Sequence, residues 1–151
     1  MNVEELIKKY LASAKMMQLA TSNKDQPWAC TVYFAFDQSL NLYWISTPGR
    51  RHSKEISNNP KVAGVIVLPH TPGDKARGLQ FQGTAEEITE PTKIKSMAKF
   101  YEDRYAHPGL ATEIISGENP HHLYQVKPEL FALFDEENYP DNPRQEYKPR
   151  S

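Results

Sequence analysis

The spacing of apolar residues is helical at the start of the chain. Apolar side chains recur three or four positions apart between Val3 and Ala14, and charged residues take the opposite side. Asn2 and Glu5 have the spacing of a capping box, in which each side chain accepts a hydrogen bond from the other's backbone N–H. The pattern predicts an amphipathic helix that packs on a sheet.

Short apolar or alternating segments follow, which is typical of strands. These segments are MQLATS, WACTVYFAFD, LYWIST, KVAGVIVLP, LQFQGTAEEI, HHLYQVKP and ELFALFDEE. Residues 28–36 carry few polar atoms on either side, so we expect both faces of that strand to be covered. The pattern predicts a mainly β fold with flanking helices, a small antiparallel β-barrel of six or seven strands.

The C-terminal half returns to a helical period and then becomes polar. EPTKIKSMAKFYEDRYA predicts a helix with Pro91 at its first position, and HPGLATEIISGENP predicts a short helix or an ordered loop. Residues 136–151 are polar and contain three prolines. We therefore predict one domain over 1–135 and a tail over 136–151 without a fold of its own, either disordered or laid on a partner chain.

Composition narrows the classes of partner. The 18 basic and 19 acidic side chains nearly cancel, which argues against a generic binder of nucleic acid or of anionic membranes. The single cysteine, Cys30, cannot form an internal disulfide. No signal peptide and no apolar run of about 18 residues is present, so we expect a cytoplasmic protein.

A local basic cluster stands out within ISTPGRRHSKEISNNP. A Pro-Gly turn leads into a helix that begins near Arg50 or Arg51, where positive charge opposes the helix dipole at a cost of about 0.3–1 kcal/mol per exposed charge. Free backbone N–H groups and basic side chains together predict a phosphate site, to which Ser46 and Thr47 add hydroxyls. The alternative is a solvated basic helix end that binds nothing. The basic residues are Arg50, Arg51, His52 and Lys54.

This cluster and its flanks resemble the pyridoxamine 5′-phosphate oxidase-like family of FMN-binding split β-barrels. The similarity covers ISTPGRRHSKEISNNPKVAGVIV, the preceding MQLATSNKDQPWACTVYFAFDQSLNLYW and the later RGLQFQGTAEEI. It implies a homodimer that binds FMN at its interface. By position it implies Arg51 as the phosphate arginine and puts His52 where the family has a phosphate lysine. His52 titrates near neutrality, so we expect phosphate binding to be pH-dependent.

The resemblance also implies further flavin contacts. Ile45, Ser46 and Thr47 match the strand end beside the ribityl-phosphate arm, with Lys54 close by on the helix. One segment matches the strand along the flavin ring, and one glutamine position matches a polar contact from a neighbouring strand. The ring residues are Thr31, Val32 and Tyr33, and the glutamine is Gln80 or Gln82. We expect Trp28, Tyr33 and Tyr43 to lie at the dimer interface.

Two departures argue against the true oxidase. Its basic pair on the second strand is missing from ACTVYFAF, and its Arg-x-His motif is missing from HHLYQVKPELFALFDEE. The family chemistry then implies an FMN-dependent oxidoreductase that acts on an unknown small substrate, with NADH, NADPH or another electron donor. The residues assign no catalytic acid or base. They also predict no metal site, because His121 and His122 are adjacent on a strand and point to opposite faces.

Two other functions stay open from the sequence. One is a flavin-binding protein without turnover, such as a carrier or a stress-related sensor. The other is a split barrel that binds haem or another anion, with His52 or a C-terminal histidine as an iron ligand.

Overall fold

The computed structural model of the protein describes residues 1–150 and contains four helices and eight strands. The elements in chain order are α1 (Val3–Ser13), β1 (Met16–Asn23), β2 (Gln26–Tyr33), β3 (Ala35–Phe36), β4 (Leu42–Ser46), α2 (Arg51–Asn58), β5 (Lys61–Val67), β6 (Arg77–Ile88), α3 (Pro91–Tyr105), α4 (Leu110–Ser116), β7 (His122–Asp135) and β8 (Arg144–Tyr147). None of these helices is long and apolar enough to cross a membrane.

All eight strands belong to one antiparallel sheet in the order β2-β1-β5-β6-β7-β4-β3, and β8 pairs with β7. The sheet curls until β2 approaches β4, although the two strands are not paired. This curled sheet with flanking helices is a split barrel, and the predicted fold class is confirmed. The strand number is eight because two of the seven expected segments form one strand, and the two-residue β3 and the tail strand β8 are added.

Helix α1 covers the inner face of the sheet. Leu6, Ile7 and Leu11 are buried in the main core. The predicted capping box is confirmed, because Glu5 N–H donates to Asn2 Oδ1 (2.8 Å) and Asn2 N–H donates to Glu5 Oε2 (2.9 Å). The period of the sequence thus identified both the element and its buried face.

The two closing strands predicted from the sequence are one continuous strand, β7. The apparent break at Pro128 is a shift of register opposite Gln82 and Gly83 of β6. A Cβ on Gly83 would lie 2.3 Å from the carbonyl oxygen of Lys127, so only glycine fits there. Proline is accommodated in a sheet at such an irregularity, where no ladder N–H is needed.

The prediction that both faces of residues 28–36 are covered is wrong within the chain for residues 28–33, whereas Phe34 and Ala35 are buried. Among the strands of residues 1–150, β2 is an edge strand with β1 as its one paired neighbour. Trp28 remains 42% exposed and Tyr33 55% exposed. Tyr43 is instead buried in the smaller core beneath α3, where it stacks on Phe100, so the expectation of a surface position for Tyr43 is wrong.

The tail lies on its own chain. Arg144–Tyr147 forms β8 against β7, and Tyr139 and Tyr147 pack against the main core. The expectation of a disordered tail, or of an arm laid on a partner, is wrong for this segment. Its long-range pairing left no local signal in a polar, proline-containing sequence.

Candidate functional site

The basic cluster surrounds an open helix start. Arg50 is the N-cap of α2 with an extended backbone, and no side chain hydrogen-bonds there as a cap. Within residues 1–150, no acidic side chain lies in the first turn of this helix. The backbone N–H groups at the start of α2 are therefore available to an anion.

Arg51 is held from two sides. Its Nε donates to Glu55 Oε2 (2.8 Å), one helical turn further on. Its guanidinium carbon lies 4.0 Å from the centroid of the Trp28 ring, a cation–π contact. The guanidinium group is thus fixed at the surface, beside the helix start.

Glu55 is buried although it is charged. Thr21 Oγ1 donates to its Oε1 (2.7 Å), so each carboxylate oxygen accepts one hydrogen bond. The bonds from Arg51 and Thr21 hold the pKa of Glu55 below its usual value. Glu55, Thr21 and the contact of Trp28 were not predicted from the sequence as parts of the site. The four-residue spacing of Arg51 and Glu55 on a helix was the available signal.

His52 does not contribute a positive charge to the open helix start. Its side chain is buried, and Nε2 lies 2.8 Å from Ser46 Oγ, with which it shares a hydrogen bond. Burial, followed by the neighbouring charge of Arg50, lowers the pKa of His52. The imidazole is therefore neutral near pH 7, and it connects α2 to the end of β4.

The other predicted residues near α2 divide into two groups. Arg51 and Lys54 line a cavity of about 310 Å³ together with Asn23, Gly49 and Asn58. Thr47 uses its carbonyl to accept a hydrogen bond from Ser53 Oγ (2.9 Å). Ile45 is half-buried and packs under α3 and α4. The structure thus brings Arg51 and Lys54 to one cavity, whereas Ile45, Ser46, Thr47 and His52 support the turn from β4.

The predicted ring residues lie on the edge strand. Thr31 pairs with Gln18 of β1, and the half-buried Val32 pairs with Met17 on the core side. Tyr33 makes an edge-to-face contact with Tyr105, with ring centroids 5.8 Å apart. In the described chain, the backbone N–H and C=O groups on the edge of β2 that faces away from β1 have no strand partner. They are therefore available to a ligand beside this strand.

Gln80 and Gln82 line a different cavity. It has about 380 Å³ and lies on the outer face of the sheet, with Gln18 and Arg144 among its walls. Within one chain the structure does not bring these glutamines to the cavity of Arg51. Arg144 was missed because β8 was not predicted.

The curled antiparallel sheet, with α2 leading from the end of β4 beside β1 and β2, defines the protein as a split β-barrel. The family model described as pyridoxamine 5′-phosphate oxidase matches residues 3–134, so the chain belongs to that family.

Individual relatives share 30% or less of their sequence with this chain over the matched residues. The UPF0306 protein PM1958 of Pasteurella multocida (strain Pm70) is 30% identical over 99 residues, which cover 65% of this chain and 66% of that protein, slightly less than two thirds. A heme binding protein from Mycobacterium smegmatis has a TM-score of 0.77 at 16% identity, over 98% of this chain and 58% of that chain. A FAD-binding protein from Mesorhizobium loti has a TM-score of 0.63 at 22% identity, over 87% of this chain and 92% of that chain. The two structural likenesses show a shared fold.

Proposed function

We propose that this protein is a flavoprotein whose FMN phosphate binds at the start of α2. The observation that carries the proposal is the uncapped start of that helix next to Arg51 and Lys54, which line one open cavity. Helix N–H groups and a guanidinium form strong hydrogen bonds with phosphate oxygens. FMN is the ligand that the family resemblance implies for this position.

The remaining predicted residues take supporting roles in this proposal. His52, neutral and bonded to Ser46, orients the end of β4 rather than adding a charge to the phosphate site. The backbone of Thr31, Val32 and Tyr33 borders the flavin ring. The site gains its cationic character from arginine and lysine alone, so phosphate binding does not depend on protonation of His52.

We further propose a homodimer joined through the outer face of the sheet. Several large apolar side chains are exposed on this face, which is unusual for a surface that stays in water. They are Met16, Tyr33, Val65, Val67 and Phe134. A flavin held at the dimer interface would be shielded from water, and Gln80, which lies on the same face, would be the polar contact from the partner subunit.

The chemistry that FMN supplies when bound is two-electron transfer between a donor and an acceptor. This chain binds and orients the cofactor and controls the access of water, and no residue of the site is assigned as an acid or base. Vitamin B6 phosphates are poor substrate candidates, since β2 lacks the basic side chains that would hold a second phosphate. The proposed reaction is oxidation or reduction of another small molecule, with NADH or NADPH as the candidate donor.

An absorbance spectrum of the purified protein tests this function, recorded before and after FMN is added and the excess removed. We expect flavin bands that co-elute with a dimer. Bleaching of those bands by NADH or NADPH would support an oxidoreductase, whereas a stable, unreduced flavin would support a flavin-binding protein without turnover.

The same absorbance spectrum distinguishes a haem-binding protein from a flavoprotein. A heme binding protein from Mycobacterium smegmatis shares this fold, which favours haem as the second candidate ligand. A Soret band instead of flavin bands, or a protein that retains no FMN, would contradict the flavin proposal.

A further inference from the structure

We infer that Glu55 is a positioning residue for the phosphate site, which fixes the guanidinium of Arg51 so that its two terminal nitrogens face the ligand. The inference rests on the proposed function, because it concerns the same site. The family resemblance assigns Arg51 to the phosphate and implies no role for this glutamate.

Glu55 contacts one edge of the Arg51 guanidinium and leaves the other edge open. Glu55 bonds only the Nε edge of Arg51, at 2.8 Å. In the part of the chain that the structure describes, neither Nη atom of Arg51 has a hydrogen-bond partner. The side chain of Glu55 is 7% exposed and that of Arg51 is 47% exposed, so the anchor is buried while the anion-binding end is open.

The sheet holds both members of this pair. Thr21 on β1 donates to Glu55, and Trp28 on β2 lies against the guanidinium. Thr21 and Trp28 are directly opposite each other in the register of these two strands. Two paired residues of the sheet therefore hold the Glu55–Arg51 ion pair of α2. The orientation of the Arg51 side chain is set before any ligand binds.

Charge alone gives the opposite expectation for Glu55. A carboxylate beside a phosphate site repels the ligand, so a site that needed only positive charge would bind more tightly without it. Orientation is what this glutamate can add, because a guanidinium that is already fixed loses less conformational entropy when it binds phosphate.

The test compares FMN with riboflavin, which lacks the phosphate, in the full-length protein. Glu55→Gln keeps the shape of the side chain and removes its charge. We expect FMN to bind about 10-fold more weakly to this variant, with riboflavin affinity unchanged. Thr21→Val keeps the carboxylate but removes its second anchor, and it should weaken FMN binding in the same direction. Glu118→Gln, at an exposed position after α4, is the matched control and should change neither affinity.

Tighter or unchanged FMN binding in Glu55→Gln would overturn the positioning role and leave the FMN proposal intact. A wild-type protein that binds no FMN would instead overturn the proposed function.

Acrylamide quenching of tryptophan fluorescence tests, without any flavin, whether Glu55 holds Arg51 against Trp28. Trp44 is fully buried and Trp28 is 42% exposed, so quenching reports on Trp28. We expect greater quenching in Glu55→Gln, because a neutral amide oxygen holds Arg51 Nε more weakly than a carboxylate does, and the guanidinium then covers the ring for less of the time. Identical quenching in the variant and the wild type would contradict the inference.

Discussion

Arg51 and His52 are neighbours in the first turn of α2, but they face different surroundings. Arg51 lies at the surface against Trp28, whereas His52 is buried against Ser46. Helix geometry explains the difference, because His52 lies one turn before the buried Ile56 and shares its face. The spacing in the sequence therefore held the information that His52 points inward, although the residue types alone suggested a second cation.

The burial of His52 makes stability depend on pH. The pKa of His52 is lowered in the folded protein from its ordinary value of 6.5, so the unfolded chain takes up the proton at a higher pH than the folded chain does. The free energy of unfolding therefore decreases as the pH falls through about 6.5. We expect the Tm of the wild type to fall between about pH 7.5 and about pH 5.5.

The variant His52→Gln can still bond Ser46 but cannot titrate, so its Tm should fall less over the same interval. His70→Gln, in an exposed loop, serves as the control and should behave like the wild type. If the Tm of the wild type and of His52→Gln fell equally with pH, the proposed effect of burial on the protonation of His52 would be contradicted.

Among the elements, those with local signals were predicted well. The capping box of α1, Pro91 at the start of α3 and the start of α2 are each specified by neighbouring residues. β7 and β8 were not, since the continuity of β7 depends on a bulge opposite Gly83 and β8 exists only through its pairing with β7. Non-local pairing decides such elements, and it leaves no period in the segment itself.

The turn between β7 and β8 depends on Asp135. This buried carboxylate accepts hydrogen bonds from the Tyr10 hydroxyl of α1, from the Asn138 side chain (2.7 Å) and from the backbone N–H groups of Glu137 and Asn138. Burial alone would raise the pKa of Asp135, but these hydrogen bonds outweigh it and hold the pKa below its usual value. The tail is thereby tied to the first helix.

Asp135→Asn should lower the free energy of unfolding by about 1–3 kcal/mol, because a buried charged acceptor with several donors is replaced by a neutral amide. Urea denaturation measures the loss. Asp141→Asn, in the exposed part of the tail, is the control, and an equal effect of the two changes would contradict the role given to Asp135.

At the scale of the whole molecule, the outer face of the sheet is the surface that a single chain leaves exposed. The exposed edge strand β2 and the apolar side chains on this face explain why the sequence suggested a covered strand where one chain leaves it open. Composition identified the apolar character of β2, but a single chain contains no information on which surface a partner covers.

Val65→Lys tests the proposed dimer. Val65 lies on β5 in the middle of the outer face and is 41% exposed. A lysine there would be buried without a partner in each subunit, at a cost of about 3–5 kcal/mol per uncompensated charge. We expect a monomer in light scattering and a loss of bound FMN.

Ile115→Lys is the matched control for that change, since Ile115 is similarly exposed but lies on α4. It should leave the oligomeric state unchanged. A Val65→Lys variant that remains a dimer would mean that the subunits associate through another surface.

The most direct test of the phosphate site is the difference in affinity between FMN and riboflavin, measured by titration calorimetry. We expect wild-type protein to bind FMN at least about 100-fold more tightly, since about two charge-assisted hydrogen bonds are lost without the phosphate. In Arg51→Met the difference should shrink about 10-fold or more, whereas Lys95→Met, on the exposed side of α3, should preserve it. Equal affinity for the two flavins in the wild type would contradict the assignment of the start of α2 as the phosphate site.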